Sequence, residues 1–404
     1  MVKDNYFTGQ PVFTQLLKLL DRSKINHLAQ QGNHDKYYKS FDTHSHLVTM
    51  LYCAMNKCIS SREVVSGMKA CHNKLLHLGM VKALGKSTLC DANKKRSSEV
   101  FGKIYDSLLK KYAHFLPDSR NNIKHKNLYI VDSSTISLFQ EILKSPSQGK
   151  HNGQRKGGIK VHTLMSATHD VPVKINFSAA VDNDVSFLPE INLEKGAFIV
   201  FDKGYNNYSQ YQRFSEQEVS FVTRQRNRTN CKILKDIPLL EESINKGVSK
   251  DQVIALGSPY YARRMKLNAR LVTFNDKASG KCFEFLTNNF HLLPEHIADI
   301  YKNRWQIELF FKRIKQNFPL KYFLGDNENA IKIQIWTALI ADLLIKIIQS
   351  QLKRKWSFAN LRSIIRLHLM SYINLFSFLN KPDLLPSYSN ASSTLLNLSI
   401  DFKT

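Results

Sequence analysis

The chain is 404 residues long and 43% hydrophobic, enough for more than one folded unit at roughly 100 to 200 residues per domain. Its 58 Lys and Arg against 33 Asp and Glu leave a formal charge of +25, which points to a polyanionic partner. No apolar run reaches about 18 residues and no amphipathic lipid anchor stands out, so nucleic acid is favoured over a membrane surface. The six cysteines form no CxxC pair. Cys53, Cys58 and the Cys71-His72 dipeptide make only a faint zinc pattern, and structural thiols are expected. The first residues, Met-Val-Lys-Asp-Asn-Tyr-Phe, lack an apolar signal region, so a cytoplasmic location is expected.

Residues 1–115 read as a helical unit, with helices predicted over 12–20, 44–57 and 62–70 and a long one over 88–112. The run at 87–96 offers Ser87 or Thr88 as an N-cap and then Lys94, Lys95 and Arg96, as in a helix entering a DNA groove. A solvated basic face is the other reading of those three.

The turn-rich stretch 117–122 marks a boundary, and residues 116–228 follow as the first part of an α/β core. The β-rich run 128–131 ends in Asp132, and a second, 198–201, ends in Asp202 followed by Lys203-Gly204-Tyr205. Between them come a basic loop at 147–158 carrying Lys150, His151, Arg155 and Lys156, strands at 159–167 and 171–181, and a helix at 186–193. Lys160 and His162 share a strand face, either to meet a DNA backbone or as a packed pair. Asp184 falls in a loop and is left out of the acidic set. A fifth strand at 218–224 ends in Arg224, with Arg226 and Arg228 alternating behind it as candidate phosphate contacts.

Residues 229–289 then turn to short β runs at 252–256, 263–274 and 281–287, an insertion before the core resumes over 290–376. The core's second part opens on a helix predicted over 301–315. At about 100° per residue, Tyr301, Arg304, Glu308 and Lys315 share one narrow face, beside a buried face of Ile307, Phe310, Phe311 and Ile314. One carboxylate among cations suits a metal and phosphates. An apolar helix over 330–352 should cover the sheet, and 377–404 reads as a loosely ordered tail.

Asp132, Asp202 and Glu308, with Tyr-x2-Arg-x3-Glu-x6-Lys around the last, resemble the acidic triad and signature of DDE transposases of the insertion sequence 4 family. The Asp202-Lys-Gly204-Tyr205 run is similar to that family's Asp-x-Gly-Tyr segment. The resemblance implies a ribonuclease H-like core interrupted by a β-rich insertion, and the predicted order of three strands, a helix and a fourth strand fits it. It also implies a helical N-terminal domain that binds terminal inverted repeats, a homodimer on paired double-stranded DNA ends, and cut-and-paste transposition in a bacterial nucleoid. The three acids would be both catalytic residues and ligands of two Mg²⁺ ions, with Mn²⁺ as a substitute. Tyr301, Arg304 and Lys315 would hold phosphates. Phe283, in the insertion, would stack on a flipped base if it is not simply packed in the core. A non-catalytic DNA binder on a domesticated scaffold and a ribonuclease H-like nuclease are the competing expectations.

Overall fold

The computed structural model describes residues 9–38, 40–116, 127–137, 149–151, 154–156, 158–225, 231–256 and 267–382. Eleven strands are present among them: β1 Leu128–Ser137, β2 Gly149–His151, β3 Gln154–Lys156, β4 Gly158–Ser166, β5 Val171–Ala179, β6 Phe198–Phe201, β7 Ser220–Arg224, β8 Cys231–Asp236, β9 Val248–Leu256, β10 Leu267–Asp276 and β11 Lys281–Thr287. β2 and β3 pair only with each other. The rest form one nine-stranded sheet in the order β5-β4-β1-β6-β7-β11-β10-β9-β8. Its centre, β1, β6 and β7, is parallel, and every other pairing is antiparallel. The β-rich segment after residue 229 therefore joins the same sheet, through β11 on β7. β6 has the unbroken apolar sequence Phe-Ile-Val-Phe that a central parallel strand, covered on both faces, requires.

The helices are α1 Val12–Leu17, α2 Arg22–Gln31, α3 Thr43–Asn56, α4 Ser61–Ala70, α5 Lys86–Lys95, α6 Glu99–Tyr112, α7 Tyr208–Glu216, α8 Glu241–Asn245, α9 Pro294–Lys302, α10 Trp305–Asn317, α11 Glu328–Gln351, α12 Phe358–Leu367 and α13 Leu375–Asn380. α11 is buried almost all round from Ala330 to Ile348, as its near-continuous apolar sequence dictates. It packs mainly on α3 and α6, and also touches α5, α10 and α12, so it ties the N-terminal helices to the sheet rather than simply covering it. The sheet's other face buries Val131, Phe187, Phe201, Tyr211, Phe214 and Phe221.

Several predicted elements change shape. The helix expected over 12–20 stops at Leu17, and α2 begins a new one on Asp21, whose side chain accepts from Lys24 N. The helix expected over 88–112 is two. At the break Arg96 turns extended, Ser98 N donates to Asn329 Oδ1, and Asn329 Nδ2 donates to the Asn93 and Arg96 carbonyls, so α11 supplies the groups that a continuous helix would have paired internally. The helix expected over 186–193 is a 3₁₀ turn, Asp184–Glu190. Ordered helix continues into the expected tail: α13 runs to Asn380, and Trp356 Nε1 donates to the Leu379 carbonyl. Residues 383–404 lie outside the described residues, as do 257–266, the start of one predicted strand.

Candidate active site

Asp132 and Asp202 come together because adjacent parallel strands end side by side. The pairing of β1 with β6 stops at Val131 and Phe201, and each acid is the next residue. Asp202 does end its strand. Asp132 does not: β1 continues to Ser137 against β4 alone, a difference from the expected strand end, and Asp132 sits where its neighbour on one side has run out.

The helix expected over 301–315 is broken at Asn303 and Arg304, where tight bonds from Arg304 N to Tyr301 O and from Gln306 N to Asn303 O replace the regular ladder. Both sides of the break still face the acids. The Tyr301 hydroxyl donates to Asp202 Oδ1 at 3.2 Å. The Arg304 guanidinium spans two of them, with Nη1 3.4 Å from Asp132 Oδ2 and Nη2 2.5 Å from Glu308 Oε1 in the first turn of α10. Lys315, in the last turn of α10, donates to the Thr135 carbonyl on β1 at 3.3 Å.

Burial pushes the Asp132 carboxyl up to about 6, and the Asp202 and Glu308 charges add to this while the Ser133 N–H and Arg304 oppose it. Burial, and then the Asp202 charge, push the Tyr301 phenol up to about 12, so it remains a donor at neutral pH. Burial opposes the charge on Arg304, yet its hydrogen bond to Glu308 and the charges of Tyr301, Glu308 and Asp132 raise its pKa. Burial lowers that of Lys315.

The acids are not a preformed metal clamp. Among the described residues no group of three or more His, Cys, Asp or Glu side chains is gathered closely enough to hold an ion. The reason is visible in the contacts: the guanidinium lies between Asp132 and Glu308, and Tyr301 holds Asp202. Asp132 already draws one cation to itself, the Arg304 guanidinium.

Of the other candidates, Phe283 is half-buried, stacked on Phe285 at 6.1 Å with the Arg224 guanidinium 4.9 Å from its ring. It walls a cavity of about 280 Å³ with Phe274, Phe285, Asp276, Asp299 and Tyr301, whose hydroxyl also reaches Asp202. Lys94 and Lys95 are exposed, but in the last turn of α5 rather than after a capped start, since Gly85 precedes the helix without a side-chain cap. Arg96 does not join the expected DNA-contacting face. Its side chain is buried, donates to Asp35 Oδ1 and the Phe41 carbonyl, and cannot reach DNA, because the chain leaves the helix there and turns inward. Lys160 and His162 are a packed pair, donating to Asp182 O and bonded to Ser178 Oγ respectively. Arg226 and Arg228, and the side chains of Lys150, His151, Arg155 and Lys156, lie outside the described residues.

Sequence reasoning missed a buried network behind α10. Arg313 reaches Asp342 at 3.0 Å and Asp170 at 2.8 Å, and Lys346 reaches Asp170 at 2.5 Å. Its signal was present as Asp342 and Lys346 inside an otherwise apolar helix.

The sequence matches the family described as Transposase DDE domain over residues 123–344, and a domain of unknown function, DUF4372, over residues 8–81. It is 31% identical over 264 residues to transposase y4zB of Sinorhizobium fredii, covering 65% of this chain and 71% of that protein. It is 29% identical over 278 residues to a transposase for insertion sequence element IS4SA of Synechocystis, covering 65% and 71%. With a transposase for insertion sequence element IS5377 of Geobacillus stearothermophilus it shares 29% over 230 residues, 57% of this chain and 59% of the other. A cryo-EM structure of the piggyBac transposase synaptic complex with hairpin DNA overlays 94% of this chain and 81% of its own with a TM-score of 0.44 and 10% identity.

Proposed function

The chain belongs to the family of transposases with a DDE domain, and from that premise we propose that it is an insertion sequence 4 type transposase acting on the ends of its own element. It binds terminal inverted repeats, cleaves at the element's ends and transfers the freed strand into target DNA, as a homodimer on paired ends. The observation that carries this is Arg304. At signature spacing from Glu308, it also reaches Asp132, 172 residues away in sequence, while Tyr301 reaches Asp202 across 99. Two chance helices meeting at a break have no reason to direct a tyrosine and an arginine at two different strand carboxylates, with the arginine also bonded to the glutamate of the following turn. The strand order β5-β4-β1-β6-β7, three antiparallel strands followed by two parallel additions, supports a ribonuclease H-like core. The charge of +25 supports a DNA partner.

Asp132, Asp202 and Glu308 would hold divalent ions, Mg²⁺ or Mn²⁺, because hard carboxylate oxygens suit both. When bound, such ions stabilise charge on the attacking and leaving oxygens of a phosphodiester. The chain's own part is positional. Asp132 and Asp202 each follow the last paired residue of adjoining strands, Tyr301 orients Asp202, and Arg304 balances the acids and can turn its planar fork to a DNA phosphate. Lys315, exposed beside Thr135, offers a point charge to the neighbouring phosphate. The exposed Lys94 and Lys95, and Arg224 with Phe283, extend the DNA-binding surface.

Glu308→Gln abolishes Mg²⁺-dependent nicking of end-sequence DNA and leaves DNA binding in gel shifts nearly intact. Metal-dependent cleavage that survives in this variant refutes the assignment.

A further inference from the structure

β1 presents Asp132 on one face of the sheet and Ser133 on the other. Behind the acids, on the Ser133 side, lies a second polar cluster that the proposed chemistry does not use. Ser133 Oγ donates to Asp184 Oδ1 at 2.6 Å, and Lys160 Nζ stands 3.1 Å from the same oxygen. Lys160 is held in turn by the Asp182 carbonyl at 2.5 Å. His162, the cross-strand partner of Ser133, closes the group by stacking on Phe187 at 5.4 Å. The Lys160 ammonium is buried while the Asp184 carboxylate is one-third exposed, so the cluster joins the interior of the sheet to its surface.

The cluster adjoins Asp132 along β1. Past Val131, β1 has lost β6 and is bonded only to β4, so one flank of the strand is unsupported at the residues that carry the acid. Ser133 contributes twice there. Its N–H donates to Asp132 Oδ1 at 2.8 Å and its hydroxyl ties the same residue to Asp184. Asp184 begins the 3₁₀ turn Asp184–Glu190, anchored by Phe187 and Leu188 in the core. We infer that Asp184 is a positioning residue, which through Ser133 and under the grip of Lys160 holds the unsupported end of β1 and so sets the direction of the Asp132 carboxylate. This rests on the metal-binding reading of Asp132, but the tether itself does not.

The test uses the full chain and two readouts. In metal-free protein, amide hydrogen exchange across residues 130–137 should rise at least tenfold in Ser133→Ala and in Asp184→Ala, with β7 unchanged, and return to the wild-type level in Ser133→Thr, which keeps the hydroxyl. Unchanged exchange in both alanine variants overturns the tether. Titrating the same proteins with Mn²⁺ alone should show affinity weakened about ten- to a hundredfold in the alanine variants, the range for losing a group that orients a ligand, and within about threefold of wild type in Ser133→Thr. If exchange rises but the alanine variants, still folded, bind Mn²⁺ as wild type does, the cluster is structural and the positioning role is refuted. If Asp132→Asn also leaves Mn²⁺ affinity unchanged, the metal assignment itself has failed, and the inference falls with it.

Discussion

Replacing Asp132 by Asn should make the metal-free protein more stable at neutral pH while destroying its proposed metal site. Burial and the nearby Asp202 and Glu308 raise the carboxyl from 3.8 to about 6. A rise of about two units corresponds to roughly 3 kcal/mol of penalty on the charged form. Because the folded value lies above the unfolded one, the folded state holds the extra proton between about pH 4 and 6. Asp132 therefore burdens the fold least below pH 4, and its full cost is reached above pH 6. Asn keeps an acceptor for the Ser133 N–H and loses only a 3.4 Å bond from Arg304, so most of the penalty should be relieved. Urea unfolding with a chelator present should show Asp132→Asn more stable by about 2 to 3 kcal/mol at pH 8, the gap closing toward pH 4. Adding Mg²⁺ should reverse the order: an ion at a hundred times its dissociation constant stabilises wild type by about 2.7 kcal/mol, and the Asn variant should gain far less. A variant no more stable than wild type at pH 8 in chelator, or a gap that does not change with pH, refutes the buried-charge argument.

Arg313→Met should cost about 3 kcal/mol, because it removes the hydrogen-bonded partner of Asp342, whose side chain is 3% exposed, and leaves only the Lys346 charge nearby to offset it. Thermal unfolding checks this, and a loss under about 1 kcal/mol would show that the network does not hold α10 in place. Lys315→Ala should lower the log-log salt slope of end-DNA binding by about 0.9, whereas Arg96→Ala should leave that slope unchanged and instead destabilise the fold by about 2 kcal/mol. A slope altered by Arg96→Ala, or unaltered by Lys315→Ala, would reverse the placement of those two side chains.

The sequence by itself determined the strand carboxylates, the polar face of the Glu308 helix and most of the strands, because each rests on local periodicity and on apolar runs that end in an acid. α11 was legible for the same reason: eighteen of its residues are buried, and nothing but core can accept such a face. Where the chain breaks its helices was not legible. The interruption between α5 and α6 depends on Asn329, more than 230 residues away, and on Arg96 finding the half-buried Asp35 and the carbonyl of the buried Phe41. A helix ended by a distant side chain leaves little trace in its own sequence, and the same distance hid the Ser133–Asp184 tether and the Arg313 network. Only tertiary structure could decide that Arg304 stands between Asp132 and Glu308, because the direction of a guanidinium follows from which unpaired charges the fold brings within its reach.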